Sequence, residues 1–508
     1  MTATSTSPAV PESRRWRGPW SSDAAVLAYV AAATVIIQLL VGHRYGFHRD
    51  ELATLDDARH LAWGYVAYPP VTPFFARISL ELFGTSLTGF RLFAAIAEAI
   101  AVFLTGLMAR DLGGRRLAQL FAATAAVPFC LAAGAVMQYV SFDYLAWVLV
   151  AYFTMRLLQS DDPRWWLAIG AAIGFGMLSK YAMPFLVFAL GIGLLLTPAR
   201  RHLRSKWFLC GAAAGLLIFL PNLLWQVRHN FIYLDFVRHI HERDVSQGRH
   251  RLFLPEQLEL TLFAFPLAIA GLYYFFFSPQ GKRYRTLGWM YIVPLVVFIL
   301  AKGRSYYLAA AYPMLYAAGS VWLEGTLASR RLSLKALVWA ALVADVALAA
   351  AFTLPLAPEG SKWFGAACAV QENFREEIGW PELVETVAKI RDALPAGDRM
   401  RYGILAANYG EAGAINLYGP RYGLPTAISG VNSMWERGYP QPPPQTLIVL
   451  GFSARFRERR FTSCQVAAKV WNHLGVLNEE TKDHPEIYVC RGLKQGWPEF
   501  WKDFHYYG

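Results

Sequence analysis

Apolar residues run along this chain in long stretches separated by short polar loops, and the first strong run is 26–40. Each stretch approaches the ~20 residues a helix needs to cross a bilayer. The pattern predicts spans near 23–42, 90–109, 117–136, 143–158, 166–180, 182–197, 207–224, 258–277, 287–302, 306–324 and 335–354, about eleven in all. Between the first two, Leu52, Leu55, Ala58, Leu61 and Ala62 recur at helical spacing with Asp56, Asp57 and Arg59 between them. That spacing predicts an interfacial amphipathic helix over 51–63. Tyr68-Pro69-Pro70 and Pro73 then stop it and turn the chain back toward the membrane. After Pro355 the pattern becomes that of a soluble domain, with a helix over 380–393 and short buried strands at 402–407, 446–452 and 486–490. The expected fold is a polytopic α-helical membrane protein carrying a C-terminal α/β domain. Its parts are a tail (1–22), a membrane domain (23–354) and an extracytoplasmic domain (355–508).

Composition agrees. The 508 residues are 55% hydrophobic, with a mean hydropathy of +0.30, too apolar for one soluble domain. A net charge of +12 raises nucleic acid as a partner, but the placement of the charge removes it. Lys and Arg fall in alternate short loops: Arg14/Arg15/Arg17, Arg110/Arg115/Arg116, Arg156/Arg164, Arg200/Arg201/Arg204/Lys206, Lys282/Arg283/Arg285 and Arg330/Arg331/Lys335. That is the positive-inside signal of a multi-pass protein among membrane lipids, with a cytoplasmic N-terminus. The polar start runs straight into a full-length span, so no cleavable signal is expected. An odd span count then puts five polar features on the outer face: Asp50-Glu51, the Gln138–Asp143 turn, Lys180, the 225–254 loop and the 302–307 loop. Of the five cysteines, Cys464 and Cys490 share the outer domain, where a disulfide is open to them.

Walker, dinucleotide, His-Glu-x-x-His and Cys-x-x-Cys motifs are absent from the sequence. An outer-face enzyme would therefore draw on an activated group carried across on lipid. Transfer from a lipid phosphate needs a carboxylate to take the acceptor's proton and fixed cations to hold the departing phosphate. Asp50, Glu51 and Asp143 are the candidate carboxylates, and Lys180, Lys302 and Arg304 the candidate cations, with Tyr306 beside them. Each has a plainer reading. The cations could snorkel to headgroups, Asp50 could pair with Arg49, and Asp143 could cap a helix beginning at Tyr144. His48 and the pair His239/His241 lack an evident third ligand for a metal. No cofactor is demanded, though a divalent cation could assist the phosphate. A transporter or flippase of a lipid-linked or sugar cargo is the rival class, but it should place charges at the bilayer midplane with internal symmetry.

The order of Asp50-Glu51, Tyr68-Pro69-Pro70, Arg91-Leu92, Asp143, Leu178-Ser-Lys180-Tyr181, Pro221-Asn222, Arg304-Ser-Tyr306-Tyr307 and Ala311-Tyr312-Pro313 resembles a known family. It is that of the bacterial GT-C glycosyltransferases of the protein O-mannosyltransferase and aminoarabinose-transferase superfamily. The resemblance implies a polyprenyl-monophosphate sugar donor, inversion at the anomeric carbon, and a lipid, glycan or protein acceptor on the outer face of a bacterial inner membrane. It implies Asp50 as general base, Glu51 as its positioning neighbour and Asp143 as a second outer-loop acid. Lys180 and Arg304 match positions near the lipid phosphate, and His48, Tyr68, Pro69, Pro70 and Arg91 are expected around the substrate cavity. The mannosyltransferases have His-Pro-Pro where this chain has Tyr68-Pro69-Pro70.

Overall fold

The computed structural model describes residues 22–327 and 332–508. The expected cytoplasmic tail, with Arg14, Arg15 and Arg17, and the pair Arg330/Arg331 lie outside the described residues. Long helices follow the apolar runs: α1 (Asp23–Val41), α4 (Leu87–Asp111), α5 (Arg116–Gly134), α6 (Tyr139–Ser160), α7 (Trp165–Met177), α8 (Met183–Leu195) and α9 (Lys206–Arg228). After α9 come α12 (Phe265–Phe277), α13 (Arg285–Leu300), α14 (Tyr312–Leu327) and α15 (Leu332–Thr353). Every expected span thus has a helix. Only eight helical segments among the described residues, however, are long and apolar enough to cross a membrane. A ninth counts if α8 is joined to the turn Pro198–Arg204, which bends from it by 112°. The count of about eleven is therefore not reached on length, because α7, α8 and α14 have 13, 13 and 16 residues.

Small residues bring the helices close. Gly170 and Gly174 of α7 face Gly211 and Gly215 of α9, and a Cβ on Gly170 would lie 1.9 Å from the Gly211 carbonyl oxygen. Such four-residue glycine spacing is how helices pack where lipid supplies no hydrophobic drive. Basic loops gather at one end of the bundle. Arg156 reaches Asp111 at 3.0 Å and Arg283 reaches Asp161 at 2.9 Å, with Arg201 also on Asp161.

At the other end lie the short helices α2 (Arg49–Arg59), α3 (Val71–Phe83), α10 (Ile232–Ser246) and α11 (Phe253–Thr261). Two expectations need correction here. Pro70 and Pro73 begin a helix and do not end one, since α2 has already stopped at Arg59 and a first turn has N–H groups to spare and tolerates proline. α2 is no surface helix. Its Asp56, Asp57 and Ala58 are buried together with Leu52 and Leu55, because the C-terminal part of the chain covers its polar side. Arg437 bonds Asp57 at 2.5 Å and Asp56 at 3.2 Å, and Asn416 donates to Asp56 at 2.8 Å.

That C-terminal part holds a four-stranded sheet in the order β1-β2-β4-β3: β1 (Tyr402–Ala406), β2 (Thr446–Leu450), β3 (Phe461–Lys469) and β4 (Glu486–Leu493). β1 and β2 are parallel, while the β2–β4 and β4–β3 pairs are antiparallel. The helix over 380–393 and three of the strands stand where the periodicity puts them. β3 was not expected because it is an edge strand, exposed along most of its length, with no apolar run to mark it. Cys464 and Cys490 face each other across β3–β4 and are joined in a disulfide. The helix Tyr409–Tyr418 lies against α2 so closely that a Cβ on Gly413 would meet the Leu52 backbone at 2.7 Å.

Candidate active site

α2 brings its acids to the site through its first turn. His48 caps the helix, its Nδ1 accepting from the Asp50 N–H at 3.2 Å, and Glu51 returns the bond to the His48 N–H at 2.9 Å. This reciprocal capping fixes where α2 begins. Successive helix residues point about 100° apart, and here Asp50 and Glu51 part company. Asp50 faces a cavity of about 180 Å³ at the polar end of the bundle, where Gln138 donates to its Oδ2 at 2.9 Å. Glu51 is 0% exposed. It accepts from Arg91 Nε at 2.9 Å, Arg91 Nη2 at 2.7 Å and the Met137 N–H at 2.8 Å. Every lone pair that could reach a substrate is already used, so Glu51 anchors the turn that presents Asp50.

Arg91 is a second expectation that the structure relocates. It lies off the cavity, between Glu51 and Glu377, the latter 3.5 Å away. His48 also stands behind the cavity wall, and burial lowers its pKa, so it remains a neutral cap. Tyr68 and Pro69 do line the cavity, while Pro70 turns away to start α3. The Tyr68 hydroxyl donates to Asp57 Oδ2 at 2.6 Å. Burial pushes the Asp57 carboxyl up to about 6, against the opposing pull of Arg437.

The cations face these acids. Lys180, just past α7, lies over three tyrosine rings: Tyr307 at 4.1 Å, Tyr306 at 4.8 Å and Tyr139 at 5.3 Å from Nζ to ring centre. Asp143 Oδ2 is 3.9 Å from the same ammonium. Asp143 sits inside α6, which begins at Tyr139, so it is not a helix cap. It is buried behind Lys180, off the cavity wall, where it steadies that ammonium. Arg304 lines the cavity with its fork held by Asp244, at 2.5 Å to Oδ2 and 3.0 Å to Oδ1. Lys302 and Tyr306 are outside the central cavity. Lys302 is exposed on a groove beside it, and Tyr306 borders a second groove.

Several cavity residues were not singled out from the sequence. Tyr233 and Arg243 come from α10, and Tyr181 from the turn after Lys180. Tyr409 and Asn432 come from the C-terminal part. Ile232, Tyr233, Phe236, Val237 and Ile240 carry the helical spacing that would have revealed α10. Nothing local to Tyr409 in the sequence shows that it reaches Asp50. Burial and the Asp50 carboxylate together keep its hydroxyl protonated. Among the described residues, no three His, Cys, Asp or Glu side chains are grouped so as to hold a metal ion.

Comparison with known proteins fits this arrangement. Residues 67–225 match the family model described as dolichyl-phosphate-mannose-protein mannosyltransferase. The lipid A galacturonosyltransferase RgtD of Rhizobium johnstonii is 26% identical over 190 residues, 35% of this chain and 39% of that protein. The match therefore spans about two fifths of the length of that curated relative. Over the whole fold the chain resembles ArnT from Cupriavidus metallidurans. The structure of ArnT bound to undecaprenyl phosphate gives a TM-score of 0.59 and its apo state 0.57. Identity is 15% in each case, covering 92% of this chain and 98% of ArnT. The protein is a multi-pass membrane protein with the fold seen in ArnT.

Proposed function

We propose that this protein moves one sugar from a polyprenyl-phosphate donor to an acceptor hydroxyl outside the cytoplasm, with inversion at the anomeric carbon. The observation that carries this reading is the division of the cavity. Asp50 borders one groove leading from it, Lys180 borders the other, and Arg304 borders both. A carboxylate and fixed cations lining one small chamber are what a displacement at a sugar phosphate requires. In the step itself, Asp50 takes the proton of the acceptor hydroxyl and the oxygen bonds to the anomeric carbon. The bond from that carbon to the phosphate oxygen breaks with its electron pair, and the lipid phosphate leaves toward Lys180 and Arg304. Fixed charge and enforced proximity supply the rate.

The relatives support the same chemistry. ArnT is described with undecaprenyl phosphate bound, and RgtD is a sugar transferase acting on a lipid. In this reading residues 1–22 are a cytoplasmic tail, 23–354 the membrane catalytic domain and 355–508 an extracytoplasmic domain in a bacterial inner membrane. The basic loops at the far end of the bundle support that orientation, and the Cys464–Cys490 disulfide supports an oxidising outer compartment. Asp143 and Glu51 serve as positioning residues, and Lys302 meets the headgroup region at a groove mouth.

The test is to incubate purified protein in lipid with a panel of polyprenyl-phosphate sugars and measure release of free polyprenyl phosphate. Asp50→Asn should slow release by about 10²-fold or more. Undiminished release in that variant removes Asp50 as the base, and inactivity on every donor overturns the reading.

A further inference from the structure

The C-terminal part of the chain keeps an apolar face that its own core does not use. Beyond α15 the chain turns at Gly360, which has a positive φ of 72°. It then forms a helix of nine residues, α16 (Lys362–Val370), capped by the Ser361 hydroxyl accepting the Phe364 N–H at 3.0 Å. After Lys362 every residue of α16 is apolar. Phe364, Ala367 and Cys368 point inward and pack with Ala357, Phe374 and Ile378. The opposite face is exposed at Trp363, Ala366, Ala369 and Val370, with Trp363 at 40% and Val370 at 57%. A helix standing in water shows polar residues on its outer face. This one offers Lys362 alone.

α15 fixes the depth. The Trp363 indole N–H donates to the Ala351 carbonyl at 3.1 Å, and Val370 lines a groove together with Leu348 and Phe352. Both ends of α16 therefore stay within the last two turns of a membrane span. Only 17% of the apolar stretch of α15 is buried, so that span faces lipid around most of its circumference, and the exposed face of α16 continues the same surface. At ~1.5 Å per residue α16 covers about 13 Å, far short of a bilayer core of ~30 Å.

The sheet reaches the same level. Between β3 and β4 the chain sends Leu474 and Val476 against the cluster that α16 packs on, and leaves Trp471 and Leu477 exposed at 49% and 65%. The nearby charges are mixed, Glu359 and Glu372 against Lys362 and Arg375, which gives no preference for anionic headgroups. Tryptophan beside aliphatic side chains is most stable at the boundary of hydrocarbon and water. The loop continues into Glu479, which pairs with Arg49 at the start of α2, so this surface and the candidate site share one segment.

We propose that α16 and the loop 470–478 form an interfacial foot that seats the C-terminal part in the bilayer leaflet at the Asp50 end of the bundle. Trp363, Val370, Trp471 and Leu477 are immersed just below the headgroups. The foot sets the height at which the C-terminal part meets α2.

The experiment uses the full chain in nanodiscs, with Cys210→Ser removing the exposed free thiol. Nitroxide labels are placed through Val370→Cys, Leu477→Cys and, as the reference, Glu458→Cys. Glu458 is exposed on the short helix Ala454–Arg460, where four arginines keep it in water. Dissolved oxygen concentrates in lipid and a nickel chelate in water, so the ratio of oxygen to nickel relaxation should be several-fold higher at 370 and 477 than at 458. The ratio should be the same in zwitterionic and anionic nanodiscs. Equal ratios at all three positions put the face in water and overturn the proposal. Labels at 370 and 477 that neither reagent reaches would reveal a protein covering, and overturn it too. A second measurement needs no label. Trp363→Phe with Trp471→Phe should reduce the tryptophan fluorescence quenched by lipids brominated near the headgroup, and unchanged quenching counts against the foot.

Discussion

Lys180 is held at the rim of the bundle by three aromatic faces and one carboxylate, an arrangement that fixes a charge without neutralising it through a short ion pair. Lys180→Met should therefore weaken donor binding by about 10-fold or more, the value of a charged hydrogen bond, as read from KM for the donor. Gln138 acts on the other side. Gln138→Leu removes the N–H that orients Asp50 and should lower kcat by roughly tenfold with little change in donor KM. An unchanged kcat would show that Asp50 is oriented by other contacts. Charges at the mouths of apolar runs made Asp50, Lys180 and Arg304 legible in the sequence, because a charge there needs a reason. Glu51, Asp143 and Arg91 have the same residue types and the same membrane-edge positions, yet their partners are other side chains. Sequence shows that a charge is present. It does not show whether a protein group has already claimed it.

Elements show the same asymmetry. Periodicity located α2, though the helix ends at Arg59 and not near 63, and its polar face meets Arg437 and Asn416 where the pattern alone points to water. A polar stripe looks the same whether solvent or a second polar surface covers it. The covering helix, Tyr409–Tyr418, is held by a capping box in which Glu411 accepts from the Ala407 N–H at 3.0 Å and the Asn408 N–H at 3.3 Å. Burial, with Glu480 nearby, pushes Glu411 up to about 8. Glu377 is likewise raised to about 8, by burial first and against the pull of Arg91. A carboxyl raised in the folded state binds its proton more readily there than in the unfolded chain. Its contribution is complete below about 4.5 and is lost as pH rises through about 8. The thermal midpoint should accordingly fall between pH 6 and about 9, and Glu411→Gln should flatten that fall. An identical slope in the variant would discharge Glu411 from the effect. Gly413→Val should force the helix off Leu52, lowering stability by about 1–3 kcal/mol and lowering transfer activity with it, since Tyr409 would withdraw from the cavity.

For the whole molecule, the two polar ends define an orientation open to direct measurement. A cysteine introduced at Arg283 should resist a membrane-impermeant thiol reagent in intact cells, and one at Gly438 should react. The reverse result would invert the topology. Cys464→Ser should lower the stability of the C-terminal sheet by about 2–4 kcal/mol, visible as a lower thermal midpoint under oxidising conditions and none under reducing ones. The overall class was legible because bilayer thickness imposes a length on every span. The number of spans was less so. α7, α8 and α14 are apolar enough to be recognised yet stop short of a full crossing, and sequence alone does not show where a short helix is completed by its neighbours.

The helix α2, which carries Asp50, is gripped from both sides at once, by Arg91 through Glu51 below and by Arg437 and Glu479 above. Chimaeras made by grafting a relative's C-terminal part onto this bundle would inherit that dependence. A graft lacking an arginine at position 437 would strand two buried aspartates and should fail to accumulate as folded protein. Restoring that one side chain should rescue it, and equal yields with and without it would show that the two parts are interchangeable modules.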